Sequence, residues 1–167
     1  MKRKLLMALV VLLLTSCADN GAKPTVKKFE KFQTVAIEQT TMLQSGKNKH
    51  YCPECGMKLP MFYKTNHSAT SNGKVKQYCS IHCLVEDKSI KKSSVTDIKV
   101  VAIDSLKFIP VKDATYVVGS DIRGTMSSLS KYAFEGRMSA RRFAKENGGR
   151  VMSFKEAYDY ALKDFKK

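Results

Sequence analysis

The sequence has no apolar run long enough to span a lipid bilayer. Its longest apolar stretch covers only residues 5–14, whereas a membrane-spanning helix needs about 20 apolar residues. Acidic residues are also scarce: 15 aspartates and glutamates stand against 30 lysines and arginines, which gives a formal charge of +15. No aromatic-studded basic motif accompanies this charge, so we exclude a nucleic-acid partner. Solvated lysines explain the excess most simply, with anionic lipid headgroups or an acidic partner as the alternative.

The short apolar run has the features of an export signal. A Lys-Arg-Lys triplet precedes it, and residues 14–17 (LTSC) follow it. This tetrapeptide resembles a bacterial lipobox, whose cysteine is acylated and becomes the N-terminus of the mature chain. We therefore predict that residues 1–16 are a lipoprotein signal peptide. Cys17 would then anchor the protein by lipid to the periplasmic side of the inner or outer membrane.

Side chains that bind soft metals are few, and they are clustered. The chain has 5 cysteines and 3 histidines. Lipidation of Cys17 leaves four cysteines in the mature chain, spaced as Cys-x2-Cys, 23 residues and Cys-x3-Cys. This spacing is compatible with a structural zinc site. The four are Cys52, Cys55, Cys79 and Cys83.

The first pair lies in the segment CPECGM, residues 52–57, beside a methionine. Thiolate and thioether sulfur are soft ligands that select Cu(I), whereas thiolate also binds Zn(II). A Cys-x-x-Cys turn points both sulfur atoms at one ion, and Gly56 allows the chain to turn tightly there. Met57 favours copper because zinc has little use for thioether, although a methionine at this position also suits core packing. The pattern leaves Cu(I) and Zn(II) open.

Other interpretations of these residues fit less well. A thioredoxin-type redox pair opens a long helix, but Pro60 and a predicted strand follow this one. Cys79 and Cys83 fall at the start of a predicted short helix, whose N-terminus stabilises thiolate. We expect His50 and His67 at the surface rather than as ligands.

The first half of the chain predicts a β-β-α-β order. MFYKTNH and VKQYC are expected strands, joined by a hairpin turn at Asn72 and Gly73. Ser80 can cap a short helix that runs to about residue 88. The β-branched segment DIKVVAI is the next expected strand.

The second half predicts a similar order. KFIPV and ATYVVGS are expected strands, and DIRGTMSSLSKYAF is an expected loop. MSARRFAKEN is an expected helix that Gly148 and Gly149 end, followed by the strand RVMSF. Ser153 and Glu156 form a capping box for a last helix, whose apolar stripe belongs to the core.

These elements indicate an α+β fold of two β-β-α-β units packed together. Residues 17–45 are expected to be a lipid tether and an N-terminal arm. Residues 46–167 are expected to be one metal-binding domain, with halves at about 46–104 and 105–167. The mature chain is long enough for the two halves to share one core.

Three segments together resemble the NosL family, the copper-binding accessory lipoproteins of nitrous oxide reductase. They are the lipobox, CPECGM, and ATYVVGSDIRGTMSSLSKYAF followed by a helix that ends in NGGRVMSFKEA. The resemblance covers about residues 52–157. It implies two β-β-α-β units related to the organomercurial lyase fold, and a Cu(I) site of cysteine and methionine sulfur. By position, the implied ligands are Cys52, Cys55, Met57 and Met126.

The sequence departs from the family pattern at two places. Thr125 stands where a glycine-proline-methionine segment would have proline, but Met126 is retained. Cys79 and Cys83 form a second pair that is not expected in the family and resembles metal knuckles of the TRASH type. This pair either adds sulfur ligands to the copper site or holds Zn(II), so both cysteines are further candidate ligands.

The resemblance implies a lipoprotein that binds Cu(I) and delivers it to nitrous oxide reductase or another copper acceptor. The alternative is a lipoprotein that uses its four mature cysteines for a structural Zn(II), without a role in copper delivery. Carbon–mercury or disulfide chemistry by the cysteines is a third hypothesis, and it rests on fold analogy alone. We therefore expect no enzyme activity.

Inhibition of lipoprotein signal peptidase tests the predicted anchor. Globomycin should leave the precursor unprocessed, because cleavage before the acylated cysteine is the step that removes residues 1–16. Immunoblots of treated and untreated cells compare the size of the protein. A Cys17→Ala variant should accumulate at the precursor size without the inhibitor, and normal processing under globomycin would contradict the lipoprotein assignment.

Overall fold

The computed structural model describes residues 31–166. The predicted signal peptide, Cys17 and most of the tether lie outside the described residues. Within residues 31–166, no helix is both long and apolar enough to cross a membrane. This part of the chain forms two antiparallel sheets and three α-helices, which confirms the α+β fold class.

The first sheet is built from the earlier part of the chain. Its elements are β1 (His67–Ser71), β2 (Lys74–Tyr78), α1 (Ile81–Val85), β3 (Val95–Val101) and β4 (Phe108–Pro110). The strand order is β2-β1-β3-β4, and each neighbouring pair is antiparallel. The β1–β2 hairpin turns at Asn72 and Gly73, as predicted, with φ angles of +46° and +77°. One π-helical turn, Glu86–Ile90, continues α1 toward β3.

The second sheet repeats this topology with three strands. Its elements are β5 (Thr115–Val118), β6 (Lys131–Phe134), α2 (Arg137–Asn147) and β7 (Arg150–Met152). Strand β5 lies between β6 and β7, just as β1 lies between β2 and β3. The two β-β-α-β units therefore share one topology, to which β4 is added. A last helix, α3 (Phe154–Lys163), begins at the predicted capping box of Ser153 and Glu156.

Several local predictions were wrong. The MFYKT segment belongs to a 3-10 helix, Leu59–Thr65, which has Pro60 in its first turn, where the fixed φ of proline suits a helix start. The KFIPV strand, β4, was expected in the second unit together with β5. It pairs instead with β3 in the first sheet. The partner of β5 is β6, which lies within the expected loop. Ser80 precedes α1, but its side chain makes no capping hydrogen bond.

A buried histidine joins the two sheets. His67 is fully buried and not at the surface as expected. Its Nε2 lies 3.0 Å from the Tyr116 hydroxyl on β5, and its Nδ1 lies 3.1 Å from the Thr65 carbonyl oxygen. A neutral ring satisfies both contacts, since Nδ1–H donates to the carbonyl while Nε2 accepts from the hydroxyl. Burial lowers the pKa of His67 to about 4.

The helices divide between two apolar clusters. The larger cluster contains residues of both sheets, and α3 packs there against α1. Ala157 and Ala161 on α3 are fully buried in it. Helix α2 instead covers a smaller cluster through Ala140 and Phe143, next to Val117 of β5. Because side chains of a strand alternate between faces, α2 and the larger cluster lie on opposite faces of the second sheet.

The N-terminal arm crosses both units without forming a strand in the described residues 31–44. The buried side chain of Gln33 donates a hydrogen bond to the Gly124 carbonyl, 3.3 Å away, and contacts the Arg123 carbonyl. The Lys64 amide donates to the carbonyl of Gln33 at 3.1 Å. The arm therefore ties the 3-10 helix of the first unit to the loop between β5 and β6.

Acid should weaken the fold through His67. A histidine that is kept neutral in the folded state but titrates normally when unfolded favours unfolding as pH falls. Its contribution is complete above the ordinary pKa of 6.5 and is lost as pH falls toward the folded value of about 4. The expected loss over that interval is about 3 kcal/mol.

Urea unfolding of the wild type and His67→Gln at neutral and acidic pH measures this loss. Glutamine keeps one donor and one acceptor but does not titrate. The variant should lose less stability on acidification than the wild type does. Equal losses for the two proteins would contradict the assigned role.

Candidate metal site

A tight turn brings the first two cysteines together. The Gly56 amide donates a hydrogen bond to the Cys52 carbonyl, and the Cys52 amide donates to the Met57 carbonyl, both at 2.9 Å. Gly56 has a φ of +73°, which side chains disfavour. An isolated bridge between Tyr51 and Lys58 closes the base of the turn. The backbone thus reverses within CPECGM as the sequence predicts.

The other two cysteines approach this turn from the first sheet. Cys79 follows the last residue of β2, and Cys83 lies one helical turn further on, in α1. Both thiols reach the same place because the end of β2 leads directly, through Ser80, into the first turn of α1. The Sγ atoms of Cys79 and Cys83 are 3.7 Å apart, and Cys55 Sγ lies 3.4 Å from Cys79 Sγ.

All four sulfur atoms form one cluster. The Sγ atoms of Cys52, Cys55, Cys79 and Cys83 lie within 4.8 Å of one another. Cys52, Cys79 and Cys83 are buried, and Cys55 is partly exposed. Tetrahedral thiolate ligands at about 2.3 Å from an ion would be about 3.8 Å apart, so the cluster needs little adjustment to hold one metal ion. The second pair thus belongs to the same site as the first.

The unmetallated cluster holds protons unequally. Hydrogen bonds from Cys79 and Cys83 hold the pKa of Cys52 well below its ordinary value. These hydrogen bonds raise the pKa of Cys79 and of Cys83, because both thiols donate to the Cys52 sulfur and so keep their protons. A bound cation favours thiolate at each ligand, so metal loading releases protons.

A buried carboxylate fixes the turn to the sheet. The Glu54 side chain, between the first two cysteines, is only 3% exposed. It pairs with Lys76 of β2 at 3.2 Å and with Lys91 beyond α1. Lys76 also reaches buried Asp87 at 3.0 Å. These ion pairs hold the Cys-x-x-Cys turn against the unit that supplies Cys79 and Cys83.

Sequence reasoning missed this role of Glu54. The available signal was its isolation, since it is the one acidic residue between positions 39 and 85. An isolated carboxylate inside a lysine-rich segment favours an ion pair with a nearby lysine. The sequence alone did not show that the partners come from β2 and from the segment after α1, because both are distant along the chain.

The two methionines occupy different surroundings. Met57 is half-buried and packs against the larger apolar cluster, which includes Cys52. Met126 is 38% exposed and has a φ of +58°. A residue other than glycine adopts that conformation only where its surroundings hold it. Here the crowding of Gly124 against Ser130 fixes the loop, since a Cβ on Gly124 would come within 2.7 Å of the Ser130 Cα.

The loop that carries Met126 is hydrogen-bonded toward the cysteine cluster. The Thr125 and Thr65 hydroxyls are 2.8 Å apart, and Thr65 Oγ1 lies 2.8 Å from the Cys79 carbonyl oxygen. Thr125 is buried. Proline has no hydroxyl, so the departure from the family pattern at this position adds a link between the Met126 loop and Cys79.

The histidines do not join the sulfur cluster. The ring of His82 stacks on Phe165 of the C-terminal segment, with centroids 4.2 Å apart. His67 is engaged by Tyr116. Among the histidine, cysteine and carboxylate side chains of the described residues, those that meet around Cys52 are all cysteines. The fold and this cluster together define a small α+β protein with four cysteine sulfurs that are able to bind a metal ion.

Comparison with known proteins identifies the family. The family model NosL matches residues 44–161, and this chain belongs to the NosL family. The crystal structure of the copper chaperone NosL from Shewanella denitrificans shares the fold, with a TM-score of 0.54 and 24% identity over 68% of this chain and 92% of that chain. No curated protein matches the chain at a significant level. The resemblance deduced from the sequence is thereby confirmed.

Neutralising Glu54 should weaken metal binding without touching a ligand. Glu54→Gln removes the charge that Lys76 and Lys91 hold, so the turn is less firmly placed against Cys79. Loss of an outer contact of this kind typically costs 10- to 100-fold in metal affinity, and we expect a loss of about tenfold or more. Competition with a chromophoric chelator measures the affinity for Zn(II) and Cu(I).

An exposed ion pair supplies the control. Lys155 and Asp159 pair on the surface of α3 at 2.9 Å, and Asp159→Asn should leave the affinity unchanged because exposed pairs contribute little. Wild-type affinity in Glu54→Gln would show that the ion pairs do not position the turn.

Proposed function

We propose that this protein is a lipid-anchored periplasmic lipoprotein that binds Cu(I) and delivers it to a copper enzyme, nitrous oxide reductase. Copper is cargo here, so the protein catalyses no reaction. The observation that carries the proposal is the convergence of four cysteine sulfurs in a chain of the NosL family. The name of the Shewanella denitrificans relative, a copper chaperone, agrees with it.

The chemistry of the ligands favours the monovalent ion. Thiolate and thioether sulfur are soft, and soft ligands select Cu(I) over harder divalent ions. Cys52 and Cys55 are the proposed primary ligands, with Met57 beside them and Met126 on the tethered loop. Cys79 and Cys83 supply further thiols in the same cluster, and this abundance of sulfur allows copper to change partners without leaving a sulfur environment.

The site is open where delivery needs it to be open. Cys55 is the partly exposed member of the cluster. The side chain of Met126 is exposed on its loop. A surface groove of about 690 Å³ runs past Cys52 and Gly56 toward Lys74 and Val75. An acceptor ligand can therefore approach the bound ion from solvent, as stepwise ligand exchange requires.

Structural zinc is the second candidate, and one observation favours it. Three of the four thiols are buried, and all four Sγ atoms fit the spacing of a closed tetrahedral site. Four thiolates around Zn(II) carry less net negative charge than four thiolates around Cu(I), which suits a buried position. In this case the methionines would be dispensable, and loss of any cysteine would unfold the domain.

Methionine substitutions separate the two candidates. Met126→Leu should lower the Cu(I) affinity by more than the roughly tenfold that loss of an outer contact costs, and should leave the fold intact. Met61→Leu is the matched control, because Met61 is exposed to a similar degree, 42%, outside the site. Unchanged Cu(I) affinity in Met126→Leu, together with stoichiometric zinc, would favour the structural site.

Delivery itself is tested in cells that produce nitrous oxide reductase. Deletion of the gene should lower the copper occupancy of the reductase under copper limitation. Wild-type and Met61→Leu genes should restore it, whereas Met126→Leu should restore it poorly. Full occupancy in the deletion strain would contradict the delivery role.

A further inference from the structure

The arginines of this chain are concentrated in one region. Lysines dominate its basic residues, and only six of the 30 basic residues are arginine. One lies in the predicted signal peptide, and the other five fall between positions 123 and 150. All five are exposed: Arg123, Arg137, Arg141, Arg142 and Arg150. A chain of solvated lysines alone would not sort its arginines in this way.

Helix α2 carries three of these arginines on an exposed face. Arg137 and Arg141 are one turn apart, Lys145 continues the row, and Glu146 is the one acidic residue of the helix. Met138, on the same helix, is 73% exposed. The inner face is already covered, since Ala140 and Phe143 pack against the second sheet.

The described chain begins beside this helix. The ring of Phe32 lies 6.0 Å from Phe143 of α2 and 5.3 Å from Tyr132 of β6. Gln33, the next residue, bonds to the carbonyls of Arg123 and Gly124. From Cys17 to residue 31 the chain spans fourteen residues, which reach at most about 50 Å. The segment that leads to the proposed lipid anchor therefore joins the body beside α2, and its length allows α2 to reach the bilayer.

We propose that the exposed face of α2 lies on the membrane and binds the phosphate groups of anionic lipids. Guanidinium groups bind phosphate through two parallel hydrogen bonds and are less strongly hydrated than ammonium groups. The apolar side chain of Met138 enters the headgroup region between them. The inference uses the lipid anchor on Cys17, but it is independent of the metal.

Binding of α2 to the membrane orients the candidate metal site. Tyr116 and Val118 face the apolar cluster that contains Cys52 and Cys79, whereas Val117 faces α2. The cysteines therefore lie on the side of the second sheet that α2 does not cover. With α2 on the lipid surface, the cysteine cluster is directed away from the bilayer, toward soluble acceptors.

A single introduced tryptophan can report whether α2 contacts the membrane, because the natural chain contains no tryptophan. Met138→Trp places the reporter on α2, and Val75→Trp places the matched control on β2, where Val75 is 50% exposed. Each lipidated full-length protein is reconstituted in vesicles of phosphatidylcholine, with or without phosphatidylglycerol, that contain brominated acyl chains. Mass spectrometry verifies lipidation first, so failure of the anchor is detected separately.

Bromolipid should quench the fluorescence of M138W in vesicles that contain phosphatidylglycerol, and should leave V75W unquenched. High salt should abolish the quenching, since it screens the charges. Combining M138W with Arg137→Gln, Arg141→Gln and Arg142→Gln should have the same effect, because each arginine near an anionic surface strengthens binding about fivefold. The proposal would be overturned if the two reporters were quenched equally, if M138W were quenched equally without phosphatidylglycerol, or if M138W were not quenched at all. The readout involves no copper, so such a result leaves the metal site untouched.

Discussion

The closeness of four thiols is the constraint on which the rest of this structure depends. Sulfur atoms within 4.8 Å of one another cannot all ionise in a buried site without a cation, because like charges disfavour each other. The protein accommodates the unmetallated cluster by keeping Cys52 prone to ionise while Cys79 and Cys83 retain their protons. A bound cation would replace those protons, so the cluster is suited to hold a metal ion.

The fold holds this cluster at the meeting of its two units. Glu54 and its lysines clamp the Cys-x-x-Cys turn to the first unit. His67 and Tyr116 join the first unit to the second, and the pair Thr65 and Thr125 links Cys79 to the loop of Met126. A change at any of these contacts alters the cluster through packing, although none supplies a ligand. Copper delivery, as proposed, draws on both units at once.

The sequence was informative where local chemistry decides the structure. The hairpin at Asn72 and Gly73, the capping box before α3 and the glycine stop after α2 were all predicted, because each depends on neighbouring residues. Strand pairing was not predicted: β4 was expected in the second unit beside β5, yet it pairs with β3 of the first sheet. The burial of His67 and the partners of Glu54 likewise come from distant parts of the chain, and no local pattern encodes them. The family resemblance supplied the expectation of copper, which the cysteine spacing alone left open.

Anaerobic competition between Zn(II) and Cu(I) for the purified mature protein tests the central claim most directly. Metal content and circular dichroism are followed together as Cu(I) is added to the zinc-loaded form. Cu(I) should displace zinc at about one ion per chain while the α+β fold stays intact, since soft sulfur ligands prefer Cu(I). Zinc that resists displacement, or that leaves only as the domain unfolds, would contradict this expectation, and the cluster would then be scaffolding within a NosL fold.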